Sequence, residues 1–240
     1  PVPLDVTDDA SVDACLVRVA EQGGLDAVVH NAGVAAAGLV ETFTADVAQR
    51  IFDVNVFGPL RVQRACLPLL RQSTSPRVVY LSSTDGREVM PFLGLYNASK
   101  AALESLAEGW SYELNALGIR SVIVQPGTFP TTSILRNLLP PDAPERAEFY
   151  GDLAAAPEAL FAQISAMVES GRAPELALVV DAVVQALLPD APPRIVVDPS
   201  GFDGTERINA VCSDVQRQLL ERCALSHLSS VVREGARRDP

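Results

Sequence analysis

Asp26-Ala27-Val28-Val29-His30, closed by Asn31-Ala32-Gly33, is the stretch that decides the fold. It is a short apolar run without polar alternation, the pattern of a parallel strand buried on both faces, and it ends on a turn signal. Runs of the same kind recur at Arg77-Val78-Val79-Tyr80-Leu81 ahead of Ser82-Ser83, at 119–125 ahead of Pro126-Gly127, and at Arg194-Ile195-Val196-Val197-Asp198. Between them, apolar residues fall at helical spacing. The predicted helices span 9–22 (Val12, Cys15, Leu16, Val19), stopped by Gly23-Gly24, then 44–71, 95–116, stopped by Gly118, and 157–170, 174–188 and 205–220. Gly58-Pro59 inside the second predicts a kink or a close packing contact. Strands joined by long helical crossovers predict an α/β, Rossmann-like, doubly wound and mostly parallel sheet with helices on both faces, in one domain over 1–240. Residues 131–175 break the rhythm: Pro140, Pro141, Pro144 and Pro157 mark an irregular insertion with one or two helices. The last ~15 residues are expected to fray.

The 240 residues are 48% hydrophobic, enough for one sizeable core. Thirty acidic and 19 basic residues give a net charge of −11, which suits a cytoplasmic protein and argues against a nucleic-acid surface. No run reaches ~18 apolar residues, so no membrane span is expected, and no signal peptide is visible. Cys15, Cys66, Cys212 and Cys223 form no CxxC pair, and only His30 and His227 could join them. They read as four buried thiols, with no metal site.

In parallel sheets ligands bind outside the carboxyl ends of the strands. Asn31-Ala32-Gly33, Ser83 and Pro126-Gly127 each follow a predicted strand and should converge on one crevice. Tyr96-Asn97-Ala98-Ser99-Lys100 starts the helix after the second strand. Tyr96 and Lys100, four apart, share one helix face. A free phenol has a pKa of ~10 and is a poor base at neutral pH; a nearby ammonium favours the phenolate. Lys100 could thus make Tyr96 a usable acid or base, with Ser83 holding the substrate oxygen and Asn55 holding a water or backbone group beside Lys100. Each feature alone has a plainer reading: a surface pair, a Ser cap or turn, a satisfied core amide. Their joint placement on successive strand ends makes the case.

The pattern resembles the short-chain dehydrogenase/reductase family. Asn31-Ala32-Gly33 is similar to its NAG motif, Tyr96-Asn97-Ala98-Ser99-Lys100 to its YxxxK motif, and Ser83 and Asn55 to its catalytic serine and asparagine. Pro126-Gly127 followed by Thr131 resembles its PG-x-x-x-T segment, and Asp5-Val6 the pair that touches the adenine ring. The resemblance implies hydride transfer between NADP or NAD (NADP favoured) and an alcohol or ketone. Asn55, Ser83, Tyr96 and Lys100 would be catalytic. Asp5, Val6, Asn31, Ala32, Gly33, Tyr96, Lys100, Pro126, Gly127 and Thr131 would contact the cofactor. It also implies a homodimer or homotetramer through the helices at 46–71 and 95–116, where Trp110 and Leu114 contribute to the contact or to the core.

One family element is absent. No glycine-rich turn leads from a strand into a helix N-terminus to hold a diphosphate; Gly23-Gly24 stops a helix, and Gly33 to Gly38 follow the wrong strand. Two expectations compete: a longer native chain with two strands, a helix and the diphosphate site ahead of Pro1, or a truncated relative that holds the dinucleotide poorly. A sheet short of two adjacent strands would expose an apolar edge, which favours the first. In the 131–175 flap, Ile134, Leu135, Leu138, Leu139, Phe149, Tyr150, Leu153, Leu160 and Phe161, with Met90 to Leu93 before Tyr96, form an apolar wall. It suits a bulky apolar substrate and is similar to the branch with 17-beta-hydroxysteroid and retinol dehydrogenases. The alternatives are a non-catalytic or cofactor-impaired binding or regulatory protein on the same fold, an epimerase or dehydratase, and an acyl-chain ketoreductase. The last would want a basic entrance, for which only Arg136, Arg146 and Arg172 lie near the flap.

Overall fold

The computed structural model describes residues 1–228. Four strands form one parallel sheet whose spatial order is their sequence order: β1 (Ala27–His30), β2 (Arg77–Leu81), β3 (Arg120–Pro126) and β4 (Arg194–Val197). All four predicted strands are present, each bounded within a residue or so of its sequence signal. The valine runs explain why the centre is so dry: Val78, Val79, Tyr80, Val122 and Val124 are fully buried.

Alternate residues of the strands feed two cores. On one face, Val78, Tyr80 and Ile123 pack with α3 (Gly58–Leu70) and α4 (Gly94–Ala116), and Val12 of α1 (Asp9–Glu21) joins them. Asp8 caps α1 by accepting from the Ala10 N–H at 3.0 Å. On the other face, Val79, Val122 and Val124 pack with Ala182 and Ala186 of α6 (Ala177–Ala186). Helices on both faces of a parallel sheet make the doubly wound, Rossmann-like fold expected from the sequence.

The second face is covered unevenly. Val29 pairs in register with Val79, so its side chain is on the α6 face, yet it is 39% exposed. β1 is an edge strand with apolar surface open above it.

Two expectations are corrected. The helix predicted over 44–71 is three pieces: α2 (Ala45–Phe52), a π-helical turn (Asp53–Phe57) and α3. The irregularity precedes Gly58-Pro59. Proline at the head of α3 starts that helix rather than kinking it, and Gly58 is needed because an added Cβ would meet Val6 Cγ2 at 2.8 Å. The cysteines are not all buried: Cys15 and Cys66 are, Cys212 is half-buried and Cys223 is exposed, because α7 (Gly204–Arg222) binds the body through polar side chains rather than an apolar stripe. Leu114 is core and Trp110 packs on it, half-buried. The segment expected to fray lies largely outside the described residues.

The proline-rich region is ordered against the turn after β1. Leu139 N–H donates to Ala35 O (2.8 Å), Ala143 N–H to Thr42 O (3.0 Å), and Arg146 and Tyr150 reach Glu41. It then runs through a broken 3-10 segment (Pro144–Ala155) into α5 (Ala156–Glu169).

Candidate active site

Ser83 follows β2 in extended conformation and caps the short 3-10 turn Thr84–Gly86, its Oγ accepting from Asp85 N–H at 3.2 Å. The plainer reading of this serine as a cap is therefore correct for one lone pair, and its hydroxyl still opens onto a cavity. Tyr96 and Lys100 lie one turn apart near the start of α4, both buried. The Lys100 ammonium donates to Leu81 O at the end of β2 (2.9 Å) and sits 5.6 Å from the centre of the Tyr96 ring, within cation–π range.

Asn55 occupies the π-helical turn, a deformation common at functional sites. Its Oδ1 accepts from Val34 N–H (2.9 Å), and its Nδ2 donates to Val34 O (2.8 Å) and to Ser99 Oγ (2.9 Å). Ser99 Oγ in turn donates to Tyr96 O. Asn55 thus locks the turn after β1 to the first turn of α4, and it acts on a backbone group rather than touching Lys100. Gly33 lies beside this knot: a Cβ there would sit 3.5 Å from Asn55 Oδ1 and 3.8 Å from Lys100 Nζ.

Ser83, Tyr96 and Gly127 line one cavity of about 90 Å³, walled by Leu93, Phe129, Ile134, Leu135, Leu160 and Phe161. Asn31, Ala32 and Gly33 stand exposed at the end of β1, while Pro126 and Gly127 are half-buried at the end of β3, with Gly127 N–H donating to Val197 O. Thr131 is exposed and outside that lining, which is made instead by Thr128, Phe129 and Pro130. Asp5 is exposed and spends its carboxylate on Thr7; Val6 packs at the head of α3.

The electrostatics differ from the expectation. Burial pushes the Tyr96 phenol well above its ordinary value, the nearby Asp85 charge adds to the rise, and the Ser83 hydroxyl opposes both. The lowering expected from Lys100 is not seen. Burial brings Lys100 itself down to about 8, against the pull of Glu104 and then of Asp85.

Two charged residues at the site escaped the sequence reading. Asp85 lines the cavity, and burial raises its carboxyl to about 6; its position two residues beyond Ser83, after a strand end, was the available signal. Glu104, one turn beyond Lys100, accepts from Ser82 Oγ (2.7 Å), Gln125 Nε2 (2.9 Å) and Arg194 Nη1 (2.8 Å). Arg87 Nε also approaches it at 2.9 Å, with its N–H turned off the contact line. A carboxylate in register with Lys100, Leu103 and Ala107 on the inner face of a helix was the clue there.

A parallel α/β sheet with buried Ser, Tyr and Lys gathered at its strand ends is the architecture of a dehydrogenase-type site. The short chain dehydrogenase family model matches residues 1–141, more than half the sequence, and the chain belongs to that family. It is 33% identical over 129 residues to a 3-ketodihydrosphingosine reductase of Bacteroides thetaiotaomicron, covering 53% of this chain and 48% of that one. The crystal structure of a short-chain dehydrogenase from Streptomyces avermitilis superposes with a TM-score of 0.68 at 28% identity, covering 93% of this chain and 79% of that one. A gluconate 5-dehydrogenase from Burkholderia cenocepacia, solved with NADP and tartrate, gives a TM-score of 0.51 at 26% identity over 53% of this chain and 51% of that one. The chain spans about half the length of the curated relatives it matches.

Proposed function

We propose that this protein is an NAD(P)-dependent oxidoreductase interconverting a bulky apolar secondary alcohol and its ketone, with Asn55, Ser83, Tyr96 and Lys100 as the working set. The observation that carries it is the meeting of Ser83 and Tyr96 on one apolar cavity with the Lys100 ammonium beside the Tyr96 ring.

Burial keeps Tyr96 a neutral phenol, the form that donates a proton to a carbonyl oxygen. Ser83 supplies a second hydrogen bond to the same oxygen. Lys100, titrating near 8, is mostly an ammonium at neutral pH, and its charge stabilises the phenolate as the proton leaves. Asn55 fixes the start of α4 through Ser99, so both residues stay in register with Ser83. In the reverse direction Tyr96 takes the alcohol proton.

The residues present fit the nicotinamide end of the cofactor. Asn31, Ala32 and Gly33 are exposed where the absence of a Cβ on Gly33 leaves an approach to Lys100, and Pro126, Gly127 and Thr131 stand at the next strand end but one. When bound, the nicotinamide supplies or accepts the hydride at the substrate carbon. For the diphosphate the described residues offer no glycine-rich strand-to-helix turn; the turn after β1 runs into the 3-10 segment Val40–Thr42. Asp5 and Val6 would lie toward the adenine. The NADP held by the Burkholderia relative favours NADP over NAD.

Of the 131–175 flap, within a single domain, Ile134, Leu135, Leu138, Leu160 and Phe161 would form the substrate wall, whereas Phe149 and Leu153 point to solvent and Tyr150 is held by Glu41; the apolar lining supports the likeness to the 17-beta-hydroxysteroid and retinol dehydrogenase branch. Phe57, 46% exposed between α2 and α3, supports a homodimer or homotetramer contact along those helices. The free thiols support a cytoplasmic setting; among the described residues no helix is long and apolar enough to cross a membrane.

The test follows the reduced-nicotinamide absorbance with NADPH and with NADH against a panel of long-chain, aromatic and polyol carbonyl compounds. Turnover of the apolar ketones that Tyr96→Phe abolishes is the expected result. Turnover of polyols alone, or an unimpaired Tyr96→Phe, overturns the proposal.

A further inference from the structure

Beside the 90 Å³ cavity lies a larger chamber of about 470 Å³, and both are lined by Asp85, Met90, Gly127 and Thr128. Of these four, Met90 has the only long apolar side chain. An unbranched thioether adapts to the space it is given, so the backbone that carries it decides where this wall stands. That backbone, residues 88–93, is neither helix nor strand; it links the turn Thr84–Gly86 to α4. It is held in a costly shape. Phe92 has a φ of 65°, in the left-handed region that side chains rarely adopt. Such a residue persists only where its surroundings over-determine it.

Three ties do so here. Gly38 N–H donates to Phe92 O at 2.9 Å, Gly94 packs so closely on Val40 that an added Cβ would meet its Cγ2 at 2.7 Å, and Asn97 Nδ2 donates to Met90 O at 2.8 Å. The first two bind the segment to the turn after β1. The third acts on the Met90 wall itself. Asn97 is 5% exposed, and among the described residues Met90 O is the one hydrogen-bond partner of its side chain; its Oδ1 has none. A buried amide with half its capacity unused costs stability, and alanine is the better helix former. The fold alone therefore gives little reason for an amide at this position. What the amide does is fix the Met90 carbonyl from the residue next to Tyr96, so one turn of α4 sets both the phenol and the Met90 wall of the same cavity. Released from this tie, Met90 has an apolar space to enter, because Leu93, Phe129 and Ile134 wall the catalytic cavity beside it and burial there favours a thioether chain.

We propose that Asn97 is a specificity-determining positioning residue: by holding Met90 out of the catalytic cavity it keeps open a passage to the chamber, and the substrate is an elongated carbonyl compound, or its alcohol, that fills both spaces. This rests on the oxidoreductase function proposed above for the same site. The reacting oxygen meets Ser83 and Tyr96, and the far end extends past Met90 toward Met167, Pro174 and Phe202 of the chamber wall.

The experiment separates binding from turnover. Acetophenone and 4-acetylbiphenyl, a single ring and a linear pair, probe the passage by calorimetric titration and by steady-state kinetics on the full chain. Wild type should favour the longer ketone in both measurements by about tenfold or more, the worth of burying the added ring. Asn97→Ala should erase most of that preference through a higher KM for the longer ketone, with kcat for acetophenone within about twofold of wild type. Adding Met90→Ala to Asn97→Ala takes away the side chain that blocks the passage and should restore the preference. Met90→Trp, with Asn97 intact, should erase it. A wild type with no preference, a preference that survives in Asn97→Ala or in Met90→Trp, or a loss that Met90→Ala leaves unrelieved overturns the proposal; the wild-type and Met90→Trp comparisons decide even where Asn97→Ala fails to fold. A binding preference that follows these substitutions without turnover of either ketone would support the passage and sink the oxidoreductase function instead.

Discussion

Glu104→Gln should be among the most damaging single changes in the protein outside the residues proposed as catalytic. Glu104 is 1% exposed and shares Arg87 and Arg194 with Glu108, so two carboxylates and two guanidiniums cancel in one cluster that ties α4 to β4 and to the turn after Ser83. The glutamine keeps the shape but leaves a net positive charge that only Glu108, more exposed, can answer, and it turns an amide N–H₂ toward donors. Removing one member of a buried pair costs about 3–5 kcal/mol, and in a chain of this size a loss of about 3 kcal/mol lowers Tm by roughly 6–12 °C. Urea unfolding followed by circular dichroism measures it directly. The double variant Glu104→Gln/Arg194→Met, which restores the balance of charge, should recover part of the loss. The same substitution should move catalysis. Glu104 is the first of the two charges that hold up Lys100, now near 8, against desolvation. Without it the ammonium loses its proton at lower pH, and the alkaline limb of the activity profile shifts downward. A Glu104→Gln protein within about 0.5 kcal/mol of wild type, with an unmoved alkaline limb, would refute the assignment of this cluster.

Tyr96→Phe should retain the fold, since the ring stays buried, and lower turnover by about 10²–10⁴-fold; circular dichroism and steady-state kinetics on one sample check both halves. His30 stacks on Tyr80 and contacts Gln63 at 3.0 Å, and burial lowers its pKa to about 4 from an unfolded value near 6.5. The unfolded chain thus binds the proton first, so His30 is fully compatible with the fold above ~6.5 and costs stability as pH falls toward 4, about 2 kcal/mol between pH 7 and 5. Between the two pH values the unfolding free energy of wild type, from urea titrations, should fall by that much more than that of His30→Gln. Gly58→Ala drives a Cβ to within 2.8 Å of Val6 Cγ2 and should destabilise by about 1–3 kcal/mol, read as a drop in Tm. Asn55→Ala removes both bonds to Val34 and the one to Ser99, and should cost about 1–3 kcal/mol while lowering turnover through a misplaced Tyr96, a loss that Asn55→Asp only partly restores.

The strands were legible because burial on both faces leaves a mark that needs no context: a run such as Val78-Val79-Tyr80 cannot be solvated, and each such run became a strand in the order written. The residues proposed as catalytic were legible for a related reason. Strand ends and helix starts fix where a side chain is, so Ser83, Tyr96 and Lys100 were brought together by topology rather than by long-range packing. What local pattern could not carry was charge. The sign of the Tyr96 shift depends on how much water the flap excludes and on Asp85, and the flap is held by pairings such as Leu139 to Ala35 that no periodicity announces. The π-helical turn at Asn55 is the same kind of omission. A run of apolar residues at helical spacing does not reveal that one turn is wound by an extra residue to aim an amide at Val34. The site is thus two layers with different origins. One is the proposed proton-transfer set, written into strand ends. The other is an electrostatic frame of Asp85, Glu104 and the arginines, assembled from distant segments, and it decides in which protonation state that set works.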